Sequence, residues 1–484
     1  MFIFSLTLRQ ALRIVTMVPL VLSAQPIVKH TFNKSDDVLM QFPELEFTRI
    51  KGAPMLSKPI LVTGTNKPIL SEGHGLAAPA FWDWDGDGLK DLLIGEFGSG
   101  VEKGRYIGNF IRVYKNIGTE TNPEFSGEFD YARPPYEILS NGTPYSVDQF
   151  CCLGFTPQFI DLNNDGKQDI ITGGYHGEVS WFKGTEDGFM PGEALPQEGN
   201  PRDPIERRKK WHQFYWLYSS ASFGDFTGDG KPDLIIGGRA MRVSNNMGTI
   251  SEPHFATREI LLTIYENPLT VYDLNADDMK LYEDRKFLGY EPPPSGDEDL
   301  SPYVVDWDND GVLDILSTNS YSHKNLATVT FFKGVKTNDK YRFQPGISLF
   351  NVRETGKAFP GNGKAFPGSG PRISVVDWNS DGVNDLILGT SVVTSQGQVS
   401  KNLAWGWEKD LNIMPAGKDP SNLTELSGET LKRFKDTNKI PDGMTIEEFM
   451  TIRHRGYIYI LLGSGEQQAP MVPAKAIKTK NNRK

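Results

Sequence analysis

Residues 81–96 read Phe-Trp-Asp-Trp-Asp-Gly-Asp-Gly-Leu-Lys-Asp-Leu-Leu-Ile-Gly-Glu. Carboxylates at Asp83, Asp85, Asp87 and Asp91 are spaced along one short loop, with apolar runs on both sides. The same register returns four more times, as D-x-[DNT]-x-D-G-x-x-D. The second copy holds Asp161, Asn163, Asp165 and Asp169, and the third holds Asp225, Thr227, Asp229 and Asp233. The fourth holds Asp306, Asp308, Asp310 and Asp314, and the fifth Asp377, Asn379, Asp381 and Asp385. Self-similar β units at a near-regular period are the mark of a propeller or solenoid.

Each loop is followed by an apolar strand: DLLIGEF, DIITGG, DLIIGG, DILSTN and DLILGT. A third strand with alternating apolar residues follows in FIRVYKNIG, EVSWFKG, TVTFFKG and YIYILLG. Segments such as PEFSGEFDYA and PHFATREILLT supply a fourth. Four antiparallel strands per unit make a blade. The expected fold is therefore an all-β propeller of five blades, although the inserts leave room for six or seven. The last unit breaks off near Gly463, and Pro43-Glu-Leu-Glu-Phe-Thr-Arg-Ile50 resembles the strand it lacks. The N-terminal segment is thus expected to close the ring and remove its open edge.

An oxygen-rich loop with a glycine at its sharp turn suits Ca²⁺, a hard cation that takes many oxygen ligands. Asp-Gly clusters are also ordinary turn chemistry, but five copies in one carboxylate register favour metal. The loop at 83–91, with four aspartates, is expected to bind best, and the loop carrying Thr227 least well. These loops and strands closely resemble the FG-GAP/VCBS repeat family across most of residues 43–465. The resemblance implies integrin-type blades in which a calcium loop joins strands one and two. It leaves activity open, because the family includes adhesion modules, carbohydrate-binding proteins and secreted enzymes. Propeller polysaccharide lyases and sugar dehydratases are similar at the level of fold only.

A formal charge of −10 opposes a nucleic-acid partner, which would need clustered Lys and Arg. Residues 1–24 read as a signal peptide: Arg9 and Arg13 precede the apolar run Ile14–Leu22, which is too short to span a bilayer. The expectation is a secreted or periplasmic monomer with no transmembrane segment. A lead at 25–42 precedes the propeller at 43–465, and the tail at 466–484 reads as disordered. Inserts fall at about 265–300, 355–370 and 399–455, the last containing a short helix from Asp442 to His454. The only cysteines, Cys151 and Cys152, are adjacent, which rules out a disulfide framework. They read as buried packing residues, or as a strained vicinal disulfide.

If the Asp loops occupy one face, the strand 2–3 turns and the inter-blade loops occupy the other. That second face collects His74, Tyr175, His176, His212, Tyr215, Trp216, Tyr218, Arg239, Arg242, Tyr321, His323 and Arg372. Histidine titrates near neutral pH, Arg pairs with carboxylates in a two-pronged fork, and aromatic rings stack on sugars. The set points to an acidic, uronic-acid-containing glycan, for example an algal one such as ulvan, cleaved by β-elimination in a lyase or dehydratase. His74, His176 and Tyr215 are the candidates for proton transfer. Arg239 and Arg372 are the candidate carboxylate clamps, and Tyr175, His212 and Trp216 would line the sugar site. A non-catalytic glycan- or protein-binding propeller is the alternative. The five strand 2–3 loops differ from one another, which favours one composite site over a repeated one.

Overall fold

The computed structural model describes residues 45–71, 76–97, 100–102, 105–134, 143–147, 154–174, 178–198, 220–237, 241–267, 269, 300–319, 329–336, 341–352, 369–395, 398–399 and 453–465. Among these residues there is no helix. The main strands form five four-stranded antiparallel blades arranged as a β-propeller.

Blade one is Ala77–Trp82, Asp91–Glu96, Ile111–Tyr114 and Asp130–Tyr131. Blade two is Gln158–Ile160, Asp169–Gly173, Val179–Phe182 and Glu193–Ala194. Blade three is Ala221–Gly224, Asp233–Ile236, Arg242–Ser244 and Glu259–Ile260. Blade four is Leu300–Val305, Asp314–Asn319, Thr330–Phe332 and Ile347–Ser348. Blade five is Ser369–Val376, Asp385–Ser395 and Arg453–Leu461, completed by Ile60–Leu61 from the N-terminal region.

The second strands are apolar without a break because each is covered on both faces. Successive side chains point to opposite faces of a strand, so each strand serves two seams. Leu92 and Ile94 pack towards blade five, and Leu93 packs towards blade two. Ile171, Leu234 and Ile236 join blades two and three, whereas Ile235 and Ile315 join blades three and four. Leu316, Leu386 and Leu388 fill the seam between blades four and five. Each of the five seams therefore has its own apolar core.

Close backbone approach between blades fixes a glycine at one point of the second strand. A Cβ on Gly95 would lie 1.9 Å from the Phe155 carbonyl oxygen of blade two. On Gly237 it would lie 1.8 Å from that of Leu300, and on Gly389 1.8 Å from that of Ala77. The last of these contacts joins blade five to blade one, where Phe81 also stacks on Trp378 at 4.5 Å. Blade four has Thr318 at this position, and its hydroxyl donates to the Pro371 carbonyl at 2.7 Å.

Closure by the N-terminal region holds, but through a different stretch from Pro43–Ile50. Ile60 pairs with Ile460 and Leu61 with Tyr459, while Met55–Leu56 pairs with Gly463–Ser464. Leu45–Phe47 instead pairs with Phe350–Val352, beyond the fourth strand of blade four. The equivalent of Pro123-Glu-Phe125 is Pro54-Met-Leu56: both segments pair with the end of the third strand and lead into the fourth. His454 belongs to the strand Arg453–Leu461, opposite Val393, so the residue read as a helix end is extended. The signal-peptide segment, Cys151, Cys152, residues 270–299, 400–452 and the tail lie outside the described residues.

Candidate metal loops and the opposite face

Each Asp loop joins the first strand of a blade to the second, so all five share one face. The loop is built by its own carboxylates. The position-1 aspartate accepts backbone N–H groups from within the turn: Gly86 and Gly88 donate to Asp83 at 2.8 and 3.0 Å. The position-6 N–H does the same in the other loops, with Gly166, Gly230, Gly311 and Gly382 each donating at 2.9 Å. The position-5 aspartate accepts from position 7, as in Leu89 to Asp87 at 2.8 Å and Val312 to Asp310 at 3.0 Å. Position 6 is left-handed in every loop, with φ from 81° at Gly382 to 91° at Gly88, which only glycine adopts without strain. Position 4 is left-handed as well, at Gly86, Asn164, Gly228, Asn309 and Ser380. The recurrence of Gly, Asn and Ser at that place was the available sequence signal, since small polar residues tolerate this conformation.

The ninth aspartate does something the spacing alone does not reveal. Asp91, Asp169, Asp233, Asp314 and Asp385 are all essentially buried. One oxygen of each accepts the position-2 N–H, from Trp84, Leu162, Phe226, Trp307 and Trp378. The other accepts an N–H just past the third strand, from Asn116, Gly184, Asn246, Gly334 and Gly463. This residue thus ties the loop to the far end of its blade. Burial pushes all five carboxyls above the ordinary Asp value, Asp314 to about 6.

The donor set suits a hard cation. Carboxylate oxygens of Asp83, Asp85 and Asp91 lie within 4.8 Å of one another, as do those of Asp306, Asp308 and Asp314. These groups could hold a metal ion through oxygens alone.

The strand 2–3 turns lie at the opposite end of the blades. His74, Tyr175, His176, His212, Tyr215, Trp216 and Arg239 lie outside the described residues. Arg372 is described: it sits on the first strand of blade five, opposite Gly389, is 2% exposed, and donates from Nη1 to the Pro371 carbonyl at 3.0 Å. Arg242 opens a strand rather than standing in the turn, and is buried. Beneath this face lie charges that sequence reasoning passed over. Glu96 ends the second strand of blade one and pairs with Arg112 at 2.5 Å, both buried. Glu178, also buried, follows the blade-two turn and interacts electrostatically with Arg258 from the outer part of blade three. An acidic residue directly after an apolar second strand, as in DLLIGE, was the signal that marked Glu96.

Residues 161–236, from the blade-two Asp loop to the second strand of blade three, match the family model described as FG-GAP-like repeat. The chain carries an FG-GAP-like repeat. The loop geometry of that repeat recurs in the blades outside the matched stretch, down to the buried ninth aspartate. No curated protein matches the chain in sequence. Among solved structures it is similar to the GH43_1 enzyme from Xanthomonas citri complexed with xylose, at 12% identity and a TM-score of 0.34, over 68% of this chain and 85% of that one. It is also similar to an α-L-arabinofuranosidase from Podospora anserina in complex with cellotriose, at 10% identity and a TM-score of 0.36, over 85% and 98%. A putative glycosidase from Bacteroides thetaiotaomicron aligns at 11% identity and a TM-score of 0.34, over 72% and 93%.

The five Asp loops are not equal. Position 3 is Asn in blades two and five, and there the Asn amide donates to the position-5 carboxylate at 3.0 Å. In blades one and four position 3 is Asp, and a lysine from the end of the third strand meets it. Lys115 pairs with Asp85 at 2.6 Å, and Lys333 pairs with both Asp308 and Asp310. The hydrogen bond from Lys115 holds Asp85 below the usual carboxylate range, and that from Lys333 does the same for Asp310.

Proposed function

We propose that the protein is a secreted, calcium-stabilised propeller that acts on an acidic, uronic-acid-containing glycan by β-elimination. The observation that carries this reading is the contrast between the two faces. One face repeats the same loop five times, while the other bears unequal loops over buried charges at Glu96, Arg112, Glu178, Arg242 and Arg372. A repeated binder would repeat its loops, whereas a single composite site need not.

Calcium would be held by the carboxylates at loop positions 1, 3, 5 and 9, with Asn163, Thr227 and Asn379 at the neutral third positions. Bound there, it would neutralise carboxylates and brace the loops away from the reacting face. The chemistry belongs to the other face. Arg239 neutralises the uronate, which acidifies the C5 proton, while the buried Arg372 remains a positive charge beneath that face. One of His74, His176 and Tyr215 takes that proton, and the electron pair forms the C4–C5 double bond. The C4–oxygen bond breaks, and a second member of the trio protonates the leaving oxygen. Tyr175, His212 and Trp216 offer surfaces for the sugar rings.

Ulvan, alginate, pectin and glycosaminoglycan fragments, incubated with the protein and read by mass spectrometry and near-ultraviolet absorbance, test this. The expected products are unsaturated uronates, or a loss of water from such a product in the dehydratase case. His176→Ala should abolish turnover without lowering the melting temperature, and Arg239→Lys should impair it because an ammonium cannot replace a two-pronged fork. Binding without turnover would leave a glycan-binding propeller. Saturated products would make the chemistry hydrolysis. Secretion is tested by N-terminal sequencing of exported protein, which should begin at Gln25.

A further inference from the structure

The fourth Asp loop differs from the others in what already sits on it. Its Asp308 is 6% exposed, and the Lys333 ammonium contacts both Asp308 and Asp310. Lys333 stands next to Gly334, whose N–H donates to the buried Asp314, so the strand that anchors the loop also delivers the lysine. The equivalent lysine of blade two, Lys183, turns away to Glu193 at 2.6 Å and lies over the Trp181 ring. Blade five has Leu462 at that place, and blade three Asn245. Among the described loops, lysine therefore meets position 3 only where position 3 is Asp, and it spans positions 3 and 5 only in blade four.

Blade four also bears the segment that leads to the closing strand. Leu45–Phe47 pairs with its Phe350–Val352 extension, and Phe47 packs on Phe350 at 5.8 Å. The turn at Gly52, with φ 89°, lies against Asp308 itself: a Cβ there would be 1.9 Å from the Asp308 carbonyl oxygen. Ala53, Trp307 and Leu349 then share one apolar cluster. The N-terminal path to the closing strand Ile60–Leu61 thus runs over the loop that Lys333 holds.

We propose that Lys333 is the resident cation of the blade-four loop: its ammonium bridges Asp308 and Asp310 in place of a divalent ion, so this loop stays closed without metal and loads metal only by displacing the lysine. Ring closure is thereby uncoupled from calcium, whereas the loops of blades two and five, which have no lysine at position 3, remain calcium-responsive. Lys115, which reaches Asp85 alone, makes blade one an intermediate case. The inference rests on the calcium reading of the loops.

Calcium binding to metal-stripped wild type and Lys333→Met, followed by calorimetry and by melting in EDTA and in calcium, tests it. Removing a positive charge from beside the site should tighten binding there by about tenfold or more. The variant should therefore bind one more ion in the measurable range than wild type. It should melt lower than wild type in EDTA and recover in calcium, and Lys333→Arg should keep wild-type behaviour in EDTA. Equal stoichiometry and affinity, or a loss of stability that calcium does not restore, would overturn the proposal. If no ion binds either protein, the calcium reading itself fails. A readout that does not need the Lys333 variant is terbium luminescence sensitised by the position-2 tryptophans. Wild-type emission at low terbium should fall on Trp378→Phe and stay on Trp307→Phe, phenylalanine being the residue blade three uses there. A fall on Trp307→Phe equal to that on Trp378→Phe would contradict a lysine-filled loop.

Discussion

Gly389→Ala should open the seam that closes the ring. The added Cβ would lie 1.8 Å from the Ala77 carbonyl oxygen, 2.8 Å from its carbon and 3.2 Å from Pro79 Cδ. Ala77 and Gly389 are both strand backbone, so neither can swing aside, and blades five and one must separate by about 1.5 Å to restore a van der Waals distance. A gap of about 1 Å already forfeits up to half of the dispersion contact across a packed interface. The seam it opens includes Phe81, Leu92, Ile387, Ile458 and the Trp378 stack. Overpacking alone costs about 1–3 kcal/mol, and the weakened seam brings the expected loss to about 4 kcal/mol. Gly86→Ala is the control: nothing lies within 4 Å of its added Cβ, and only its φ of 76° is strained, a penalty of roughly 1–2 kcal/mol. Urea unfolding of both variants in excess calcium measures the difference. If Gly389→Ala unfolds no more easily than Gly86→Ala, close blade contact is not what fixes the glycine.

Excess EDTA should lower the melting temperature, since a site held at 100 times its Kd contributes about 2.7 kcal/mol; an unchanged melting curve would refute metal bracing. Asn246→Ala should cost about 2–3 kcal/mol, because its Oδ1 accepts the Gly248 and His254 N–H groups at 3.0 and 3.2 Å, and chemical denaturation would show it. Burial pushes the Tyr145 phenol up to about 12, against the hydrogen bond that its oxygen accepts from the Phe189 N–H at 3.1 Å. Its contribution to stability is complete below the unfolded value near pH 10 and is lost as pH rises through 12. Tyrosinate absorbance and unfolding should therefore rise together in that range, and Tyr145→Phe should weaken the coupling.

The Asp loops were legible because a metal-type turn spaces its polar groups rigidly, and the strands because each seam needs its own apolar residues. The closing strand was misread for a physical reason. The signal for that part of a blade is only proline, one residue and an apolar side chain, and Pro43–Phe47 imitates it as well as Pro54–Leu56 does. Arg242 reads as a turn residue because it stands at the end of the polar, glycine-led stretch GGRAMR, yet the strand starts there and buries it. Lys333 was invisible as a loop component because its approach to Asp308 depends on pairing between strands rather than on spacing along the chain. His74, His176 and Tyr215, proposed for catalysis, lie outside the described residues, in stretches of sequence where no periodicity constrains a reading.

Hydrogen–deuterium exchange with and without a uronate oligosaccharide tests most directly whether the two faces divide the work. Protection is expected at the far ends of the blades, in peptides covering 174–179, 237–242 and 369–373, with the Asp loops unchanged. Protection confined to residues 83–91, 161–169, 225–233, 306–314 or 377–385 would place the ligand on the metal face and contradict the account.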